Sequence, residues 1–346
     1  MTSRTGSPVR VAVWYNNADI RIEERPMPEA GPGELLVKVN ACGICGSDVV
    51  EWYRLPRAPL VQGHEIGAEV VAVGEGTDKY RVGDRVFIAP KVPCMQCRFC
   101  KDEKYPLCTE IKGRLPGGFA EYICVPEDLV KLGTYPLPDA LTDEQSTFIE
   151  PLACVCRAQR LAGVEENRLV LVMGCGMSGL LHVKLAASSG CTVVATDINP
   201  DRLALAEKNG AALTLLASGD PAAEIVSRFG RKADTVIICA SPLSVVEQAW
   251  QCLEKGGAAV FFAVPGPDKQ VTVPINAFWT QEVRILTSYY CGPPDIAQAM
   301  SLLAKGTVRI EDLITHRLPL SKIADGFRSV LSGTESIKVI IEPHKR

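Results

Sequence analysis

Leu169-Val170-Leu171-Val172-Met173-Gly174-Cys175-Gly176-Met177-Ser178-Gly179 is an uninterrupted apolar run that breaks into a G-x-G-x-x-G turn. Five consecutive apolar residues fit a strand covered on both faces, as in a parallel sheet. In the turn, Gly174 permits the reversal, Gly176 lets backbone approach a pyrophosphate, and Gly179 lets the following helix pack close to the strand. That helix, with Met177 and Ser178 in its first turn, offers free N–H groups to phosphate oxygens. A glycine turn alone is weak evidence, so the flanking sequence decides.

Downstream the pattern repeats: a helix to about Ser189, a strand over Thr192 to Thr196, a helix from about Pro200 to Asn209, a strand over Thr235 to Ala240, a helix over Leu243 to Leu253, and a strand over Ala258 to Ala263. Apolar strands alternating with helices predict a doubly wound α/β domain. Asp197 ends the second strand, about 20 residues beyond the glycines, where such folds place an acid. Its carboxylate can accept from the adenosine ribose hydroxyls and repel a 2'-phosphate, favouring NAD over NADP. The competing role for Asp197 is as a cap for the helix that starts near Pro200.

Upstream, from Val9 to about Phe148, the chain reads as short β segments punctuated by Gly and Pro: Leu35 to Val39, Gly67 to Val73, Arg85 to Ile88 and Ala120 to Val125. These predict an irregular antiparallel or barrel-like unit. After about Ser288 come a helix near Asp295 to Lys305, another near Ile323 to Ser332, and a strand over Lys338 to Ile341. A tail of about 55 residues makes a marginal domain by itself and is expected to pack on the first unit.

The 346 residues suggest two domains, and 47% hydrophobic with 22% charged residues is a globular composition. A net charge of -3 without a basic run excludes the electrostatic footprint of a nucleic-acid binder. The longest apolar runs are strand-sized, so no membrane span is expected. Met1 to Arg10 is polar and lacks the apolar core of a secretory signal. Fourteen cysteines without such a signal fit reduced thiols and metal ligands, and point to the cytoplasm.

Four of those cysteines, Cys94, Cys97, Cys100 and Cys108, stand as C-x2-C-x2-C-x7-C. The spacing suits one tetrahedral zinc ion with about 2.3 Å bonds. An iron-sulfur cluster of the bacterial type wants a final gap of three and a following Pro, neither of which is present, and a disulfide framework belongs to oxidising compartments. Four sulfurs leave no open position, so this ion would be structural.

A second set is more open. Cys45 lies in Cys42-Gly43-Ile44-Cys45-Gly46-Ser47-Asp48, His64 and Glu65 follow Gly63, and Glu150 lies in the apolar stretch Phe148-Ile149-Glu150-Pro151-Leu152-Ala153. A buried carboxylate needs a partner. Thiolate, imidazole and carboxylate together supply three ligands and leave a fourth position for water or substrate, the composition of a catalytic zinc site. Asp48 could orient the His64 imidazole.

With these residues in view, the chain resembles the zinc-dependent medium-chain dehydrogenase/reductase superfamily, most of all its sorbitol (polyol) and threonine dehydrogenase branches. The likeness runs through Gly43 to Asp48, Gly63-His64-Glu65, Val82-Gly83-Asp84-Arg85-Val86, the cysteine lobe, Gly117-Gly118-Phe119-Ala120-Glu121-Tyr122, Glu150 to Ala153 and the glycine turn, in order. It implies a GroES-like catalytic domain of residues 1–154 and 289–346, with the structural-zinc lobe at about 90–110, and a Rossmann NAD-binding domain of residues 155–288. It implies two zinc ions per chain, Cys45 and His64 as catalytic-zinc ligands, and either Glu65 or Glu150 as the third, with Glu150 preferred and Glu65 exchanging for it. Ser47 matches the hydroxyl that relays the substrate proton, Lys338 a basic residue near the cofactor pyrophosphate, and Ser178 or Arg202 further cofactor contacts. The implied activity is NAD-linked oxidation of a secondary alcohol, a polyol or sugar, to the ketone by a homo-oligomer, a dimer or tetramer.

Two departures stand out. Many polyol dehydrogenases carry histidine where this chain has Val50, so the outer proton relay is missing, and the stretch from Cys45 to His64 is short. Threonine or an aldose therefore remain alternative substrates. A non-catalytic NAD-binding member is a further alternative, against which stands the joint presence of Cys45, Ser47, His64 and Glu150.

Overall fold

The computed structural model describes residues 8–346, so most of the polar opening stretch lies outside the described residues. The chain divides into two compact units. One takes the chain up to Pro151 together with Gly292–Gly306 and Ile310–Arg346, and the other takes Leu152–Cys291 with Thr307–Arg309.

The second unit is the doubly wound α/β fold expected from the alternating pattern. Its six strands lie in the order Leu213–Leu216, Thr192–Asp197, Leu169–Met173, Ala233–Ile238, Leu253–Phe261 and Arg284–Thr287, all parallel. Every residue of Leu169–Met173 is buried, which is why that strand reads as continuous apolar sequence. The chain runs from this strand to one edge, then returns to Ala233–Ile238 on its other side. That reversal of direction opens a crevice at the strand ends, where ligands of this fold bind.

The first unit is built around Leu35–Gly43, which pairs antiparallel with Glu65–Val73 on one side and with Lys338–Glu342 on the other. Ile314–Pro319 then pairs parallel with Lys338–Glu342. The tail therefore completes the sheet of the first unit. Register sets what meets what: Gly43 lies opposite both Glu65 and Ile340. Among the described residues no helix is long and apolar enough to cross a membrane.

Candidate active site

Three pieces of the first unit converge at the end of Leu35–Gly43. The chain leaves that strand into a short 3-10 turn, Gly46–Val49, capped by Cys45, whose sulfur accepts from the Ser47 N–H at 3.4 Å. Asp48 closes the reciprocal bond, accepting from the Cys45 N–H at 3.1 Å. This capping box aims the thiol and buries the carboxylate completely. The second piece is His64-Glu65, where the strand begins two residues earlier than the sequence suggests. The third is Lys338, opening its own strand.

Cys45, His64 and Glu65 each offer a ligand atom, all within 4.8 Å of one another. His64 Nδ1 lies 3.4 Å from Asp48 Oδ1, so a proton held there leaves Nε2 as the lone pair of the ring. Glu65 is fully buried; one oxygen, Oε2, is ion-paired with the equally buried Lys338 ammonium, and the other, Oε1, has no hydrogen-bond partner among the described residues. A buried, unpaired carboxylate oxygen beside a thiol and an imidazole is costly unless a cation fills the space. The electrostatics agree. Burial and then the Glu65 carboxylate push the Cys45 thiol up. Burial opposes charge on His64, but Asp48 and Cys45 outweigh it and raise its pKa well above the ordinary value. Burial also works against ionised Asp48, yet His64 and Arg54 pull its pKa below the ordinary range. The donor set fits a zinc ion with a position left open.

Glu65, not the preferred Glu150, stands with Cys45 and His64. Glu150 is buried in the first turn of the helix Ile149–Ala162, outside that trio. Lys338 is wholly buried in the first unit and ion-paired with Glu65. Gly43 makes room for this ion pair, since a Cβ there would sit 2.5 Å from both Lys338 Nζ and Glu65 Oε2.

Ser47 Oγ lies 3.3 Å from Cys45 Sγ. It also accepts from Arg54 Nη2 at 2.8 Å, and the same nitrogen donates to Asp48 Oδ1 at 2.8 Å. Arg54 was not singled out from sequence. The signal was Asp48, because a carboxylate in a buried capping box requires a neighbouring cation.

The cysteine lobe brings Cys94, Cys97, Cys100 and Cys108 together as free thiols. Their sulfurs stand 3.5 Å (Cys97 to Cys100), 3.9 Å (Cys94 to Cys100) and 3.9 Å (Cys97 to Cys108) apart. A tetrahedron with about 2.3 Å bonds to zinc has edges of about 3.8 Å, so the lobe is shaped for that ion. Backbone N–H groups of Gln96 and Cys97 donate to Cys94 Sγ and hold its thiol below the ordinary pKa, and backbone hydrogen bonds bring Cys97 down to about 6, whereas burial pushes Cys100 up to about 12.

In the second unit, Gly174 takes φ +97 and a Cβ on Gly179 would meet the Gly174 carbonyl oxygen at 1.8 Å, so neither position tolerates a side chain. Gly176 caps the helix Met177–Ser188, which places Met177 and Ser178 in its first turn. Asp197 Oδ2 accepts from the Cys175 N–H at 2.6 Å and Oδ1 from Asn199 N–H at 2.8 Å, so the acid is tied to the glycine turn itself. The helix over Pro200–Lys208 is capped by Asn199, not Asp197. Arg202 Nη1 lies 3.9 Å from where a Cβ on Gly176 would be, beside the phosphate approach.

The chain is similar to known proteins over nearly its whole length. Residues 31–139 match the alcohol dehydrogenase GroES-like domain and residues 179–305 the zinc-binding dehydrogenase domain. Sorbitol dehydrogenase of Gallus gallus is 33% identical over 98% of this chain and 97% of its own length. D-arabitol-phosphate dehydrogenase of Enterococcus avium is 33% identical over 91% and 92% respectively. A zinc-binding dehydrogenase from Sinorhizobium meliloti bound to NADP superposes with a TM-score of 0.87 at 29% identity, covering 98% of this chain and 100% of that one.

Proposed function

Because the chain belongs to the zinc-dependent medium-chain dehydrogenases, in their polyol branch, we propose that it oxidises a secondary alcohol of a polyol or sugar to the ketone, with hydride transfer to NAD. The observation that carries the reading is the Cys45, His64 and Glu65 trio with its unpaired Glu65 oxygen, beside a serine hydroxyl. Zinc held there would polarise the alcohol oxygen and lower its pKa. Asp48 keeps the His64 ring in place, Lys338 offsets the Glu65 charge, and Ser47 accepts the alcohol proton. The glycine turn holds the pyrophosphate and Asp197 supports NAD over NADP. The first unit is thus the catalytic domain and the second the cofactor domain. Fourteen free thiols support a reducing, cytoplasmic setting, and we propose a homo-oligomer.

The test is NADH absorbance over a panel of sorbitol, xylitol, arabitol, arabitol phosphate, glucose, threonine and 2,3-butanediol, with metal analysis alongside. Polyol turnover with two zinc ions per chain is the expected result. Preference for threonine over every polyol, or one zinc and no chelator-sensitive turnover, refutes the proposal.

A further inference from the structure

The loss of histidine at position 50 leaves open what governs the Ser47 hydroxyl, and the short helix Glu51–Arg54 supplies an answer. Arg54 Nη2 donates to Ser47 Oγ and to Asp48 Oδ1, each at 2.8 Å, while Nε donates to the Ser47 carbonyl oxygen at 3.0 Å. The Arg54 side chain is 12% exposed and Asp48 is fully buried. Neutralising Asp48 needs one of these N–H groups. The other two go to residue 47, one of them to the hydroxyl itself.

We infer that Arg54 is the positioning residue for proton transfer at Ser47, taking over by orientation what a relay histidine would do by carrying the proton. The inference rests on the dehydrogenase reading above. A guanidinium only donates and stays protonated, so it occupies one lone pair of Ser47 Oγ and leaves the second for the alcohol O–H. It also turns the hydroxyl hydrogen away from itself, toward Cys45 Sγ at 3.3 Å. In turnover the alcohol proton passes to the second lone pair of Ser47 while the Ser47 proton leaves to water. When bound, NAD would take the hydride of the carbinol carbon, so that alcohol plus NAD+ gives ketone, NADH and one proton. Arg54 keeps all of its own protons and holds Ser47 Oγ in place while the hydroxyl takes up one proton and gives up the other. A second consequence follows from the shared nitrogen. Arg54 links the proton acceptor to Asp48, and Asp48 orients His64, so one side chain aligns the hydroxyl and a metal ligand together.

The experiment compares the zinc-loaded parent with Arg54→Met and Arg54→Lys, using the best alcohol of the panel. In Arg54→Met, kcat is expected to fall by about tenfold or more, with KM changed by less than about threefold and the solvent deuterium isotope effect on kcat increased. Because Arg54→Met leaves the buried Asp48 carboxylate without its guanidinium, Tm is expected to fall, so the rates are compared at a temperature where both proteins are folded and zinc-loaded. Arg54→Lys keeps the charge without the fork and should recover part of kcat. Unchanged kcat and isotope effect in folded, zinc-loaded Arg54→Met overturn the inference, and so does a fall in kcat that Arg54→Lys does not partly recover. A second arm needs no substrate. With cobalt in place of zinc, the thiolate-to-cobalt charge-transfer band should shift in Arg54→Met as the Ser47 bond to Cys45 is released, and an unshifted band overturns the inference. If the parent oxidises no alcohol in the panel, the functional reading fails, and the cobalt band alone decides the role of Arg54.

Discussion

Lowering the pH from 7.5 to 5.0 should cost the protein about 2 kcal/mol through a single side chain, His182. This histidine sits in the helix Met177–Ser188, fully buried, with Nδ1 3.2 Å from Gln159 Nε2 and the ring edge-to-face with Phe262 at 4.7 Å. Gln159 Nε2, which also donates to the carbonyl oxygen of residue 182, can only donate, so Nδ1 accepts and the ring is neutral. Burial depresses the His182 pKa from 6.5 to about 3. In the unfolded chain the same group titrates near 6.5 and takes up a proton as the pH falls. A depressed pKa on a base means that the unfolded state binds the proton first, so stability is lost on going down from about 6.5 and the loss is complete near 3. At pH 5.0 the unfolded state gains RT ln(1 + 10^1.5), about 2 kcal/mol, against about 0.1 at pH 7.5. The figure at pH 5.0 holds for any folded pKa below about 4, because the native ring is neutral there in every such case. His182→Leu removes the titration at similar volume, and Gln159 Nε2 keeps its second acceptor, the carbonyl of residue 182, at 2.9 Å. Urea unfolding followed by tryptophan fluorescence is the assay, since Trp250 packs between Phe261 and Phe278 in the same unit. The parent should lose about 2 kcal/mol more than His182→Leu between the two pH values. Parallel losses in the two proteins would refute the reasoning.

Metal analysis of Glu65→Gln should find one zinc per chain where Glu150→Gln keeps two; the reverse outcome would restore Glu150 as the ligand. Cys97→Ser should lose the lobe zinc and about 5 °C or more in Tm by differential scanning fluorimetry, with activity falling only as the fold does. Gly43→Ala should cost about 1–3 kcal/mol in chemical unfolding, because the added methyl sits on the buried Glu65 and Lys338 pair. Asp197→Gly should shrink the NAD over NADP ratio of kcat/KM by about tenfold or more, and an unchanged ratio would remove Asp197 from cofactor choice.

What could be read from sequence follows the range of the forces involved. Arg85–Ile88, Leu169–Met173 and the helix Ile323–Ser332 match their sequence reading to the residue, since local periodicity and burial coincide there. The half-exposed edge strands Leu213–Leu216 and Arg284–Thr287 carry no such pattern and escaped notice. At the site, Cys45, Ser47 and His64 were legible because their spacing is local. The choice between Glu65 and Glu150 was not, because it turns on a strand that starts at Glu65 and not at Gly67. The pairing of Lys338 with Glu65 was not legible for a related reason: the two lie 273 residues apart, and nothing in the neighbouring sequence announces a buried charge pair. Arg54 escaped because a cation on one short helix is indistinguishable from a solvated one until its acceptors are known.

That separation of 273 residues also sets an order of events during synthesis. Cys45, His64 and Glu65 leave the ribosome early, but the ammonium that offsets the Glu65 charge is made only after nearly all of the α/β unit, Leu152–Cys291, has emerged as one continuous stretch. The α/β unit can therefore fold while translation continues, whereas the sheet around Leu35–Gly43 lacks its neighbour Lys338–Glu342 until the final part of the chain arrives. A chain that stops short of Lys338 lacks both the ammonium that offsets the Glu65 charge and the strand that flanks Leu35–Gly43.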